Sequence, residues 1–162
     1  MSEVWKFLGG GLVLLSALIA SGEYKLYAKR RILQYEGLIS LFAHLEAMIG
    51  RYLASGDGLY RGFENAELER VGLLPLIRQG VSLADAFKEC EMNLPKDSLK
   101  AISEFLSGLG RGYKDGELKS LSDFRTSLES EKATEADRLE KSVKVTTTLI
   151  IGAALAFLIM II

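Results

Sequence analysis

Few side chains in this sequence have the chemistry of a catalytic or metal-binding group. His44 is the only histidine and Cys90 is the only cysteine. One imidazole and one thiol far apart in the sequence fall short of the four ligands, or three plus water, that a zinc ion takes in proteins. A single thiol also cannot form an intramolecular disulfide, and we interpret Cys90 as a small apolar residue. The sequence therefore predicts no metal site and no cofactor site.

A glycine-rich stretch is the one motif with an outward likeness to a phosphate-binding loop. Residues 108–112 read Gly-Leu-Gly-Arg-Gly. A dinucleotide-binding loop follows a strand and opens a helix, and a P-loop ends in lysine followed by serine or threonine. Here the glycines follow a helical pattern without such a pair, so we predict that they end a helix in the left-handed conformation. With no nucleophile, base and oxyanion donors in evidence, we expect no enzyme; a small hydrolase is the weakest alternative.

Charge is distributed very unevenly along the 162 residues. The first 22 and last 18 residues are nearly free of charge, whereas the middle is rich in it. The formal net charge of −1 gives no basic excess, so we expect no nucleic-acid partner.

The C-terminal segment has the composition of a membrane span. Val145 to Ile162 are 18 uncharged residues whose only polar side chains are three threonines. At about 1.5 Å per residue such a helix reaches about 27 Å, close to the roughly 30 Å hydrocarbon core of a bilayer. A core helix in so small a domain would carry a polar face, and this segment has none. We therefore predict a transmembrane helix over residues 145–162.

A second transmembrane helix is predicted over residues 4–22, with Trp5 as an interfacial anchor and Lys6 reaching the headgroups. The alternative is a cleaved signal peptide, because Ala20-Ser21-Gly22 offers the small residues of a cleavage site. Four basic residues follow the segment: Lys25, Lys29, Arg30 and Arg31. Because basic residues resist translocation, they favour a retained span and a cytoplasmic middle domain.

The middle of the chain shows helical spacing. Apolar residues recur every three or four positions from Tyr24 to Ala54, which predicts one long helix ended by Gly56-Asp57-Gly58. Shorter helices are expected at 59–69, at 73–77 with Pro75 in its first turn and Gly80 after it, at 83–90 behind the N-cap Ser82, at 99–109 and at 118–128. The predicted fold is all-α: a bundle of about six helices over 23–128 and a charged stalk helix over 129–144, flanked by the two spans.

Four residues of the glycine-rich region are candidates for a structural or assembly function. Phe105 and Leu109 are four apart, so they share one helix face and should be buried in the bundle. Gly110 and Gly112 stand where that helix must stop and the chain must reverse into the next one.

The order of these features resembles stage III sporulation protein AB of endospore-forming Firmicutes over essentially the whole chain. Members commonly carry phenylalanine-glycine, two variable residues and leucine-glycine, and then an aspartate and a glutamine. The matching residues are Phe105, Leu109 and Gly110. Leu106 replaces the first glycine, Tyr113 stands in the place of the aspartate and Glu117 in that of the glutamine. Asp115 restores the acidic residue with a shift of two positions.

The resemblance implies a function that the residues alone do not. The family forms part of the channel between mother cell and forespore during engulfment, and its soluble domain resembles the helical domain of type II secretion F proteins. The implied place is the mother-cell membrane around the forespore, as a multi-pass protein. The implied partners are other stage III sporulation proteins, foremost the ATPase, protein AA, and a homo-oligomer is left open. The alternative is a membrane-anchored signalling adaptor unrelated to secretion.

Overall fold

A computed structural model describes residues 2–52, 56–60, 62–110 and 113–161, with side chains omitted at 2–8, 51–52, 56–57, 158 and 161. All secondary structure in these ranges is helical, so the predicted all-α class is confirmed. The elements in chain order are α1 (Ser2–Tyr52), a 3-10 helix (Gly56–Tyr60), α2 (Ala66–Arg70), α3 (Leu73–Arg78), α4 (Leu83–Glu89), α5 (Lys96–Gly108) and α6 (Lys114–Ile161).

The two end helices are longer than the segments predicted from the sequence. Helix α1 joins the predicted first span to the predicted long helix, and α6 joins the last bundle helix, the stalk and the C-terminal segment. Neither helix contains a proline, so no residue in them lacks the backbone donor of a helical hydrogen bond. The chain forms two compact units, one of residues 1–29 with 134–162 and one of residues 30–133.

Among the residues that the structure describes, no helix is both long enough and apolar enough to cross a membrane. The predicted spans at 4–22 and 145–162 fall partly outside the described residues, and so do the side chains of Trp5 and Lys6.

The unit of residues 30–133 has one hydrophobic core, and α1 provides its largest side chains. Residues at helical spacing on one face of α1 are almost completely buried: Tyr35, Leu38, Leu41, Phe42 and Leu45. The other helices bury apolar residues against this face, including Leu68, Leu73, Ile102 and Leu121. Gly37 lies where α2 approaches α1, and a Cβ atom there would stand 2.9 Å from Leu68 Cγ. The missing side chain of Gly37 therefore allows this close approach.

Local sequence signals set the limits of the short helices. Gly80, at φ +88°, ends α3, and the Ser82 hydroxyl accepts a hydrogen bond from the Asp85 amide at 3.2 Å to begin α4. Both predictions are confirmed. The single helix expected over 59–69 is wrong, because the Asn65 side chain accepts hydrogen bonds from the Glu67 and Leu68 amides. Those bonds start α2 at Ala66.

Candidate functional site

An open groove of about 1380 Å³ lies on the unit of residues 30–133. Apolar side chains form much of its wall: Leu45, Ile49, Leu59, Phe63, Ile77, Leu83, Leu106 and Leu109. Its charged residues are two acids and two bases: Glu64, Arg78, Lys114 and Glu117. An apolar groove with balanced charge suits a polypeptide segment better than a phosphate, which needs a basic or amide-rich site.

The candidate Gly110 lies in this groove at the turn after α5. Leu109 caps α5 in an extended conformation, and Gly110 follows at φ +86°. The Gly110 amide donates a hydrogen bond to Glu117 Oε1 at 3.0 Å. Because an L-residue with a side chain loses roughly 1–2 kcal/mol in the left-handed region, glycine suits this position. The predicted left-handed glycine is found at Gly110, two residues after α5 ends at Gly108, whereas Gly112 lies outside the described residues.

The candidates Phe105 and Leu109 are half-buried rather than fully buried. The fully buried face of α5 consists of Ser98, Ile102 and Leu106. The expectation for Phe105 and Leu109 is therefore only partly right, because both residues pack at the edge of that face. Leu109 is left to line the groove.

Phe105 belongs to an aromatic cluster that joins α1, α5 and α6. Its ring stacks on Phe124 with centroids 3.9 Å apart, and both rings meet the edge of Phe42 at 5.7 Å. Aromatic pairs of this kind add about 0.5–1.5 kcal/mol each beyond the burial of their area. The cluster therefore fixes the helix that carries one wall of the groove.

A buried polar network was not predicted from the sequence. The Tyr35 hydroxyl donates to Glu131 Oε1 at 3.1 Å and lies 2.9 Å from Ser98 Oγ, which also donates to Glu131. Tyr35 is completely buried, and a buried tyrosine needs a partner for its hydroxyl. The sequence could therefore indicate that the Tyr35 hydroxyl has a hydrogen-bond partner, but it could not identify the partners on α5 and α6.

A second network surrounds Gln34, which is also completely buried. Its side-chain nitrogen donates to Glu67 Oε1 at 3.1 Å, and its oxygen accepts from the Asn93 amide at 2.7 Å. Arg31 Nε donates to the Asn93 carbonyl at 2.7 Å. Hydrogen bonds from Arg70 and then from Gln34 lower the pKa of the Glu67 carboxyl, against the opposing effect of burial.

The four basic residues predicted to orient the membrane segment have different surroundings. Lys25 and Lys29 are exposed, Arg30 is half-exposed, and Arg31 is engaged with the loop at Asn93. The structure therefore leaves the two lysines as the outward-facing members of this set.

The two residues with reactive side chains lie apart in packed surroundings. Burial raises the pKa of the Cys90 thiol to about 11, and the thiol donates to the Phe87 carbonyl at 3.3 Å. The His44 ring packs 5.2 Å from Phe63, and its Nε2 is buried without a hydrogen-bond partner in the described part of the chain. Within the described ranges, no group of three His, Cys, Asp or Glu side chains is placed to hold a metal ion.

The unit of residues 1–29 and 134–162 is an antiparallel pair of helices, here called the hairpin. Two hydrogen bonds set its register: Ser21 Oγ donates to Thr147 Oγ1 at 3.3 Å, and the Tyr24 and Ser142 hydroxyls meet at 2.7 Å. Glu23 on α1 and Lys144 on α6 fall between these contacts, at one level. These are the last charged residues before the apolar stretches, so both helices change from charged to apolar at that level.

Beyond this level the hairpin exposes large apolar side chains on both helices. On α1, Leu12, Leu15, Leu18 and Ile19 are each 57–62% exposed. On α6, the exposed large apolar residues include Val145, Leu149, Ile151, Leu155, Phe157, Ile159 and Met160. Contiguous exposed apolar surface of this kind marks a contact with protein or lipid. Neither a protein-family model, a curated protein nor a solved structure matches this chain.

Proposed function

We propose that this protein is a membrane-anchored structural component whose hairpin lies in a bilayer and whose helical unit faces the cytoplasm. The observation that carries the proposal is the common level at which both hairpin helices change from charged to apolar. A bilayer imposes such a level, because its headgroup boundary is a plane that both helices must meet together.

The hairpin dimensions support a bilayer as the surroundings of the exposed apolar residues. Residues 145–161 span about 26 Å as a helix, and the antiparallel register sets them beside residues 6–22. Hydrocarbon about 30 Å thick covers that length. In water, the same exposed leucines and isoleucines would leave a large apolar surface uncovered.

The resemblance to stage III sporulation protein AB supplies the biological part of the proposal. On that basis the chain is a platform component of the channel apparatus between mother cell and forespore, in the mother-cell membrane. Its cytoplasmic unit docks the apparatus ATPase, and we assign the docking to the groove that Leu109 and Gly110 line. The balanced charge and apolar wall of the groove support a protein partner.

Topology provides the first test, with single cysteines in a Cys90→Ser background. We expect an impermeant thiol reagent to label Ser2→Cys in intact cells and to label Asp115→Cys only after permeabilisation. The reason is that residues 23–144 face the cytoplasm while both termini lie outside. Labelling of Asp115→Cys in intact cells, or recovery of the protein in the soluble fraction, would contradict the proposed arrangement.

Docking is tested by capturing the ATPase with the detergent-solubilised full chain. Capture that is lost in Leu109→Asp and kept in the exposed-surface control Lys119→Asp would support the groove. Equal capture by both variants would contradict the groove assignment. No capture by the parent would contradict the secretion platform and favour the signalling adaptor.

A further inference from the structure

The basic side chains of the hairpin near the charged-to-apolar level differ in whether they are paired. On α6, Lys141 Nζ lies 2.6 Å from Asp137 and Lys144 Nζ lies 2.6 Å from Glu140. Arg138 is 4.0 Å from Glu135. On α1, Lys25 and Lys29 have no ion-pair partner within the described residues. The unpaired positive charge of the hairpin near this level is therefore concentrated on α1.

These two lysines share one face of α1. Lys25 and Lys29 are four residues apart, so their side chains are neighbours on the helix surface, and both are exposed. Leu26, next to Lys25 in the sequence, is 41% exposed. Tyr27 is 40% exposed at the same depth but lies on the opposite side of the helix, because residues two apart do not face each other. Tyrosine is enriched at the headgroup level of membranes, where its ring is apolar and its hydroxyl is wet.

The register places this face just on the charged side of the level defined by Glu23 and Lys144. Lys25 is two residues from Glu23, about 3 Å along the axis, and Lys29 is six residues away, about 9 Å. Each headgroup region is about 5–8 Å deep, and a lysine stem can carry its ammonium several ångströms towards it. Both ammonium groups can therefore reach the phosphates of one leaflet.

We propose that Lys25 and Lys29 form a binding face for anionic phospholipid headgroups. The proposal rests on the proposed insertion of the hairpin into a bilayer. A zwitterionic headgroup carries its own ammonium and so offers little net charge to two free lysines, whereas phosphatidylglycerol carries net negative charge. The paired lysines of α6 contribute little, because Asp137 and Glu140 already neutralise them.

The test uses a tryptophan reporter in the full chain reconstituted into vesicles. Trp5→Phe with Leu26→Trp places the only tryptophan at the level of the two lysines, on an exposed position at the edge of their face. Quenching by brominated phosphatidylglycerol and by brominated phosphatidylcholine then gives the relative association constant of the two lipids. We expect a preference for phosphatidylglycerol of up to about five-fold per lysine at low salt, falling as salt is added.

The double substitution Lys25→Gln with Lys29→Gln should reduce the ratio of the two association constants to about one. The matched control, Asp137→Asn with Lys141→Gln, removes a closed ion pair without changing net charge and should keep the preference for phosphatidylglycerol. Equal association of both lipids with the reporter protein, or a preference that survives the double lysine substitution, would overturn the proposal. Failure of the chain to float with vesicles of either lipid would instead contradict the proposed bilayer insertion.

Discussion

The two units bury very different side chains along the same two long helices. In the unit of residues 30–133, α1 buries Tyr35, Phe42 and three leucines. In the hairpin, the buried residues of α1 include Gly10, Ser21 and Ala28, and leucines face outward. The contrast is the one expected if the hairpin lies in a bilayer as proposed: in water, burying large apolar groups drives packing, whereas in lipid, small residues and interhelical hydrogen bonds hold helices together.

The largest expected effect is the loss of a core ring from the helical unit. Phe42→Ala should destabilise this unit by about 3–5 kcal/mol, because it removes both aromatic contacts and leaves a cavity. Chemical unfolding of the full chain in detergent micelles, followed by circular dichroism, measures the loss. Leu15→Ala on the exposed face of the hairpin should cost under about 0.5 kcal/mol in the same assay. Similar losses of unfolding free energy in Phe42→Ala and Leu15→Ala would contradict the proposed difference between the two units.

A smaller effect is expected at the turn between α5 and α6. Gly110→Val should destabilise the helical unit by roughly 1–2 kcal/mol, because valine must adopt the left-handed backbone of Gly110. Melting temperature and ATPase capture should both fall, while flotation with vesicles, a property of the hairpin, should stay unchanged. Gly116→Ala is the control: a Cβ atom has open space at both glycines, but Gly116 lies in α6 without a left-handed backbone. If Gly110→Val melts at the temperature of the parent and captures the ATPase equally well, the conformation of this turn does not determine the stability or the docking of the helical unit.

The smallest expected effect concerns how strongly acid destabilises the fold, which should differ between the helical unit and the hairpin. The folded pKa of Glu67 is lowered, so its contribution to stability is present above the unfolded pKa of about 4.5 and is lost as pH falls through the folded value. Glu67→Gln should cost about 1 kcal/mol at neutral pH and flatten the decline of melting temperature below about pH 5. The ion pairs of Asp137 and Glu140 in the hairpin are exposed, so their loss in acid should have a smaller effect on the hairpin. An unchanged acid profile in Glu67→Gln would contradict this assignment.

The features that sequence analysis predicted correctly are those that depend on neighbouring residues. The stop at Gly80, the cap at Ser82 and the left-handed backbone of Gly110 each follow from a backbone conformation or a hydrogen bond within a few positions. The all-helical class follows from spacing that repeats over tens of residues. Such signals are complete in a short window of sequence.

The features that were missed need partners distant in sequence. The Tyr35 hydroxyl meets Ser98 and Glu131, which are 63 and 96 positions away. The groove likewise combines residues of helices far apart in the chain, including α1 and α6, and the predicted candidates Leu109 and Gly110 line it. Periodicity identifies a buried tyrosine, but the choice of its partner depends on how the helices cross.

Gly37 has a consequence for how sequences of this kind can diverge. In an isolated helix, alanine would be favoured over glycine by about 1 kcal/mol. Here the added methyl group would stand 2.9 Å from Leu68 Cγ and 3.0 Å from the Asn65 side chain that starts α2. A larger residue at position 37 thus demands a smaller one at position 68, and the two positions should change together. In relatives that share few other residues with this chain, correlated changes at positions 37 and 68 would still indicate the contact between α1 and α2.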